Sequence, residues 1–110
     1  MKGDTFMQVK QITPKDVWKI FNRNFTQSAE YCEDELRNAA FIRTTVQYLK
    51  RLCSVNGWIT LNDIWDVLGF SRTNEGMVYG FTFKDEIDID YRRGYITVKN
   101  CRIIHNKIGA

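Results

Sequence analysis

Three carboxylates stand at alternate positions late in the chain, where Glu86, Asp88 and Asp90 would share one face of a strand. Such a row of acids can hold Mg²⁺ or Ca²⁺, as in a nuclease site. An exposed strand face accounts for the same spacing, and Lys99 would stand opposite Asp88 in the hairpin predicted below. No adjacent histidine or acid-x-lysine pattern completes a nuclease set. The sequence therefore predicts no metal site.

The residue types that act as nucleophiles or general bases lack the neighbours that those roles need. His105 is the only histidine, and no serine or cysteine motif accompanies it. Cys32, Cys53 and Cys101 form no CxxC pair, which disfavours a disulfide framework and a zinc knuckle and favours a reducing compartment. No glycine-rich phosphate loop is present. We therefore expect no catalytic residue, no cofactor and no enzymatic activity.

The most suggestive charges are two consecutive arginines in a predicted turn, because a projecting turn can place guanidinium groups against phosphate or an acidic protein surface. The residues that we expect to contact a partner protein or a nucleic acid are Arg72, Asn74, Arg92, Arg93, Tyr95 and Lys99. Three cations near the N-terminus could add phosphate contacts: Lys15, Lys19 and Arg23.

Length and composition predict one domain over residues 1–110, with residues 1–27 as a helical extension packed on it. The chain is 44% hydrophobic and 14% aromatic, which suits a modest core without disulfides. The net charge is only +3, but both ends are basic and the middle is acidic. Without an apolar leader or a membrane-length apolar run, we expect a cytoplasmic protein that is not secreted and has no membrane partner.

Helical patterns predict three helices, over about residues 14–24, 29–55 and 61–68. Thr13 and Pro14 would begin the first helix. The second carries a mainly apolar stripe at helical spacing: Cys32, Leu36, Ala39, Ile42 or Arg43, Val46, Leu49 and Cys53. For the third, Thr60 and Asp63 form a predicted capping box, and Gly69 ends the helix.

Two alternating segments, residues 87–91 and 95–99, predict a β-hairpin that turns at Arg93-Gly94. That turn pairs Tyr91 with Ile96, Ile89 with Val98 and Asp88 with Lys99, which gives one apolar and one charged face. The predicted fold class is therefore α+β, with three helices and a C-terminal antiparallel hairpin or small sheet.

This order of elements is winged-helix-like, with the hairpin as the wing. Where such a fold has its recognition helix, residues 71–80 contain one arginine, one glutamate and two glycines. A helix there would be short and weakly basic, which disfavours sequence-specific reading of DNA.

The segment from about residue 40 to residue 98 resembles a group of small phage and prophage proteins of unknown function. The shared features are a strand like Gly57-Trp58-Ile59-Thr60, a following helix like Leu61 to Gly69, and a hairpin turning at a pair like Gly94-Tyr95. The resemblance covers about half the chain, leaves out the N-terminal helix and brings no catalytic motif. It implies a mobile-element origin and a protein that acts by docking.

One small core is not expected to bury all of the aromatic residues, and four are in excess: Trp18, Tyr31, Tyr48 and Trp58. They are either exposed docking anchors or buried. The hypothesis favoured by the sequence is a non-enzymatic, phage-type module that binds a protein partner, for example as an antagonist of a host-defence complex. The alternatives are a winged-helix-like nucleic-acid-binding protein, which would use its basic hairpin tip, and a minor virion component.

Overall fold

The computed structural model describes residues 14–104, and these form an α+β fold. The predicted cap Thr13 and the histidine His105 lie outside the described residues. The elements in chain order are α1 (Pro14–Phe21), β1 (Asn22–Asn24), a 3₁₀ turn (Phe25–Gln27), α2 (Glu35–Asn56), β2 (Trp58–Thr60), α3 (Leu61–Leu68), a 3₁₀ turn (Glu75–Met77), β3 (Tyr79–Thr82), β4 (Asp88–Arg92), β5 (Tyr95–Lys99) and β6 (Arg102–Ile103).

The strands form two antiparallel three-stranded sheets. The first sheet has the order β1-β5-β4, and the second has the order β2-β3-β6. The predicted hairpin is β4 and β5, and its register is confirmed in the pairs Tyr91↔Ile96, Ile89↔Val98 and Asp88↔Lys99. Both turn residues have positive φ, 55° at Arg93 and 84° at Gly94, as a two-residue type I′ turn requires.

The first helix ends at Phe21, so its predicted end at residue 24 was wrong. Residues 22–24 instead pair with β5, from Asn22↔Thr97 to Asn24↔Tyr95. The local sequence pattern remains amphipathic as far as residue 24. Residues 22–24 leave the helix because they pair with the distant strand β5.

The second helix begins at Glu35 and not at residue 29. Asp34 is its N-cap, and its carboxylate accepts hydrogen bonds from the backbone N–H groups of Leu36 and Arg37, at 3.1 and 3.3 Å. The helix ends one residue later than predicted, at Asn56, and Gly57 follows with φ of 93°.

The predicted buried stripe of α2 was only partly right, because Leu36 is 82% exposed. The buried positions of this helix are Asn38, Ile42, Thr45, Leu49 and Cys53. Asn38 can face inward because its amide exchanges two hydrogen bonds with the backbone of Cys32, of 3.1 and 2.8 Å.

Helix α3 has the predicted bounds and caps. The backbone N–H of Asp63 donates to Thr60 Oγ1 at 3.1 Å, and the N–H of Thr60 donates to Asp63 Oδ2 at 2.9 Å. Gly69 ends the helix with φ of 89°, and the N–H of Phe70 returns to the carbonyl of Trp65.

The core lies between α2, α3 and the inner faces of both sheets. Its largest fully buried side chains are Trp65, Phe25, Phe81, Leu49, Ile59, Leu61, Ile64, Leu68, Ile96 and Ile104. No helix within residues 14–104 is long and apolar enough to cross a membrane.

Candidate functional site

The hairpin places three of the expected contact residues together at its tip. Arg92 and Arg93 are exposed, and the side chain of Tyr95 is 39% exposed. Arg92 and Tyr95 are cross-strand partners on either side of the turn. The tip therefore presents two guanidinium groups beside an aromatic ring.

An exposed tryptophan on α1 packs against this aromatic ring. The rings of Trp18 and Tyr95 meet edge to face with centroids 5.5 Å apart, and Trp18 remains 49% exposed. Asn22 fixes this arrangement: its amide donates to the carbonyl of Trp18 at 2.8 Å and accepts from the hydroxyl of Thr97. Pairing of β1 with β5 thus holds α1 beside the hairpin.

A groove of about 360 Å³ lies at this contact, at the β1 edge of the first sheet. We call it the aromatic groove, and its lining residues are Trp18, Lys19, Asn22, Arg23, Asn24, Gln27 and Tyr95. The lining contains two cations, three amides and no carboxylate. Such a surface suits a partner with acidic and apolar groups.

Arg23 contributes less charge to this groove than the sequence suggests. Its guanidinium lies over the rings of Trp65 and Phe70, 4.8 and 5.2 Å from their centroids, and donates to the carbonyl of Ser71 at 3.1 Å. Burial lowers the pKa of Arg23 from its ordinary value. This arginine therefore serves the fold, and Lys19 is the exposed cation of the groove.

Arg72 and Asn74 lie in the loop after α3, and no contact joins them to the tip among the described residues. The guanidinium of Arg72 lies 3.3 Å from Asp66 and 3.8 Å from Asp63, so two carboxylates of α3 offset its charge. The loop is held by Asn62, whose amide exchanges hydrogen bonds of 2.9 and 2.8 Å with the backbone of Thr73.

Lys99 lies at the far end of β5 from the tip. Its ammonium group is 3.9 Å from Asp90 rather than on its cross-strand partner Asp88, and Arg92 is 3.5 Å from the same carboxylate. Within the part of the chain that the structure describes, no three His, Cys, Asp or Glu side chains are grouped as metal ligands.

Burial raises the pKa of two cysteine thiols. It raises that of Cys101 to about 12, with the carboxylate of Asp85 adding to the effect, and it also raises that of Cys53. Both thiols are therefore protonated near neutral pH.

All four aromatic residues expected in excess of the core are exposed by at least a third. Trp58, Tyr31 and Tyr48 are 38, 39 and 44% exposed, while Trp18 is the most exposed of the four. Trp18 is also the one that meets an expected contact residue. The sequence did not reveal this pair, because the two residues meet only through the pairing of β1 with β5.

The fold and this surface define the class: a small α+β domain with an exposed aromatic groove beside a basic hairpin tip. The chain belongs to the family of unknown function DUF6353, whose sequence model matches residues 4–106. The match includes the N-terminal helix that the phage-type resemblance left out. No curated protein and no solved structure matches the chain.

Proposed function

We propose that this protein is a non-enzymatic binding module that docks on a protein partner through the aromatic groove and the hairpin tip. The observation that carries the proposal is the Trp18–Tyr95 pair, two large rings left about half and two-fifths exposed beside cations. Tryptophan, tyrosine and arginine are the residues that most often carry the binding energy of protein interfaces.

The chemistry of the groove indicates the partner's chemistry. Lys19 at the groove and Arg93 at the tip are exposed cations without a salt bridge among the described residues, and amide groups complete the lining. A partner surface with an apolar side chain to cover Trp18 and carboxylates to meet the cations would complement it. The phage-type resemblance supports a mobile-element origin, and an antagonist of a host-defence complex is one form that such a module would take.

A nucleic-acid-binding role is the second candidate, because aromatic rings beside arginines also stack bases of single strands. Three features favour a protein partner. The recognition-helix position holds only the 3₁₀ turn Glu75–Met77, Arg72 is offset by carboxylates, and Arg23 is stacked inside the fold. At the groove and the tip, only Lys19 and Arg93 are exposed cations without a salt bridge among the described residues, and two such charges would support only a weak electrostatic attraction to phosphates.

Photo-crosslinking in cells of the source organism tests the proposed function. A photoreactive phenylalanine replaces Tyr95, and the same residue replaces Tyr48 on α2 in a control, since that side chain is also about two-fifths exposed. We expect a discrete protein adduct from position 95 that is absent from position 48. A nuclease-sensitive adduct from position 95, without a protein adduct, would show that the nucleic-acid candidate is right.

The second candidate has its own test in binding to a single-stranded oligonucleotide. A strand binder using Lys19, Arg92 and Arg93 would lose affinity with salt at a log–log slope of about −2, because about 0.7 counterions are released per neutralised phosphate. It would also lose affinity on Arg92→Ala plus Arg93→Ala. Absence of binding even at low salt would remove this candidate.

A further inference from the structure

We propose that Asn22 and Thr97 are positioning residues of the aromatic groove. Their side chains form a hydrogen-bonded latch between the end of α1 and strand β5, and this latch holds Trp18 where a partner would meet it. The inference deepens the proposed function and rests on it for the effect on binding. The effect on the position of Trp18 is measured on the protein alone, so the two can fail separately.

Helix α1 is too short to hold its own position. It has eight residues, and isolated helices of fewer than about 12 residues are marginal in water. Its helical state and its orientation therefore depend on contacts with the rest of the domain. Among the described residues, these contacts include two aromatic pairs and the latch.

The two aromatic pairs fix α1 unequally. The ring of Phe21 meets that of Tyr79 edge to face with centroids 5.0 Å apart, and both residues pack against the core. This contact anchors the end of the helix. The ring of Trp18, one turn earlier, meets Tyr95 at 5.5 Å but is half exposed, and an exposed pair of this kind is weak on its own. The Trp18–Tyr95 contact alone would therefore not stop the helix from rotating about Phe21.

The latch joins the last turn of α1 to the central strand of the first sheet. The side-chain amide of Asn22 donates to the carbonyl of Trp18 at 2.8 Å. Carbonyls in the last turn of a helix are open to donors of this kind. The oxygen of the same amide accepts from the hydroxyl of Thr97, in the middle of β5. One amide thus ties the residue that carries the exposed ring to a strand that is paired on both sides.

The strand register brings the latch and the aromatic pair together. Asn22 and Thr97 are Cα partners in the pairing of β1 with β5, and side chains directly opposite each other in a sheet lie within contact distance. Tyr95 precedes Thr97 by two residues, so both side chains are on the same face of β5. The latch and the ring that Trp18 meets therefore lie side by side on one strand.

Asn24 provides a matched control within β1. It also lines the aromatic groove and is half-buried, and its amide oxygen accepts two hydrogen bonds, from the backbone N–H and the hydroxyl of Thr26 at 3.0 and 2.9 Å. These two bonds stay within the 3₁₀ turn that follows β1. Asn24→Ala therefore loses as many side-chain hydrogen bonds as Asn22→Ala does, but it loses none that hold α1.

The first experiment follows the contact between Trp18 and Tyr95 by NMR of the full chain, as cross-relaxation between the two rings. Asn22→Ala, which loses both bonds of the latch, should weaken this cross-peak at least about fivefold, and Thr97→Val, which loses one, at least about twofold. Thr97→Ser keeps the hydroxyl and should retain the cross-peak, as should Asn24→Ala.

The same spectra show whether each variant is folded. Trp65 is fully buried and Trp58 lies in β2, so the indole N–H signals of both should keep their positions in all four variants. Valine favours strands as threonine does, and Thr97→Val therefore leaves β5 intact.

The second experiment combines the same substitutions with the photoreactive residue at position 95, which keeps an aromatic ring there. Binding falls with the fraction of molecules in the competent conformation, so Asn22→Ala should lower the yield of the protein adduct at least about fivefold. Asn24→Ala and Thr97→Ser should give the yield of the parent protein.

Three results would overturn the proposal. The first is an unchanged cross-peak in both Asn22→Ala and Thr97→Val. The second is an equal loss in Asn24→Ala, which would indicate a general weakening of β1. The third is a lost cross-peak with an undiminished adduct, which would mean that the latch does not serve binding. Absence of an adduct from the parent protein would instead contradict the proposed function, while the cross-peak still decides whether Asn22 and Thr97 position Trp18.

Discussion

At the scale of single residues, the same residue type serves different purposes at neighbouring positions. Arg23 stacks on Trp65 and is held by the carbonyl of Ser71, whereas Arg93 projects from a turn. The sequence alone does not distinguish these two arginines, because the rings that hold Arg23 are about 45 residues away in the chain. Only the exposed cations remain for binding.

At position 76 a neighbouring side chain leaves no space for a residue larger than glycine. A Cβ added there would collide with the side-chain oxygen of Asn62, which is buried and bonded to Thr73 and so has no room to move. We expect Gly76→Ala to lower the free energy of unfolding by about 2 kcal/mol, the usual cost of overpacking. Urea unfolding measures the change.

Gly94 provides the control for that substitution. Its φ is positive, but no heavy atom lies within 4 Å of a Cβ built there. Asparagine tolerates this backbone conformation, so Gly94→Asn should change the free energy of unfolding by less than about 0.5 kcal/mol. Equal losses at the two glycines would contradict the steric explanation.

Tyr91 should make the stability depend on alkaline pH. Burial raises its pKa to about 12, and so does the hydrogen bond that its hydroxyl donates to Glu35 at 3.0 Å. A pKa raised by folding gives a stabilisation that is complete below the unfolded pKa of about 10 and is lost as the pH rises through 12. The free energy of unfolding should therefore fall across this window.

The variant Tyr91→Phe isolates the contribution of this hydroxyl. Its free energy of unfolding, measured with urea, should decline less steeply between about pH 9 and pH 12 than that of the wild type. Cys101 adds a decline of the same sign to both proteins. Parallel pH profiles for the two proteins would mean that the Tyr91 hydroxyl is not responsible.

At the scale of elements, the capping box of α3 is the local structure that the sequence predicts most completely. Thr60→Ala removes the hydroxyl that accepts from Asp63 N–H and should cost about 1 kcal/mol. Thr60→Ser keeps an accepting oxygen and should cost less than about half as much. Thermal or urea unfolding distinguishes the two, and similar losses would indicate that the methyl group and not the cap matters.

Most features set by neighbouring residues were predicted, although the local N-cap Asp34 at the start of α2 was missed, and features set by distant strands were not predicted. The caps of α3 and the register of the hairpin follow from residues close together in the chain. The end of α1 at Phe21 does not, because β5 pairs with the residues that follow it. The inward position of Asn38 likewise depends on a partner outside its helix.

The candidate site follows the same division. The sequence indicates the exposed tip, since consecutive arginines before a glycine mark a polar turn. It does not indicate the aromatic groove, because Trp18 and Tyr95 are joined only by tertiary structure. Nor does it separate Arg72 from the tip, although acids on α3 engage that residue.

At the scale of the whole molecule, the first sheet has its candidate binding surface at one edge. The aromatic groove lies at the β1 edge, where α1 packs beside the hairpin. The docking proposal assigns the partner to this edge of the sheet.

Exposed rings that serve binding should matter little to folding. Trp18→Ser should lower the free energy of unfolding by only about 1 kcal/mol, the value of an exposed aromatic pair, although Trp18 is a large residue. Thermal unfolding gives the measurement. A loss above about 3 kcal/mol, typical of removing a buried aromatic residue, would make Trp18 part of the core.

The most direct test of the docking proposal uses the protein partner that is crosslinked by the photoreactive residue at position 95. This partner is identified and purified, and its affinity is measured for the wild type and for Trp18→Ser. Titration calorimetry should show binding weakened at least about thirtyfold, the effect of losing a residue that anchors an interface. Tyr48→Ser, on α2, should bind as the wild type does. Unchanged affinity of the folded Trp18→Ser variant would contradict the assignment of the aromatic groove as the docking surface.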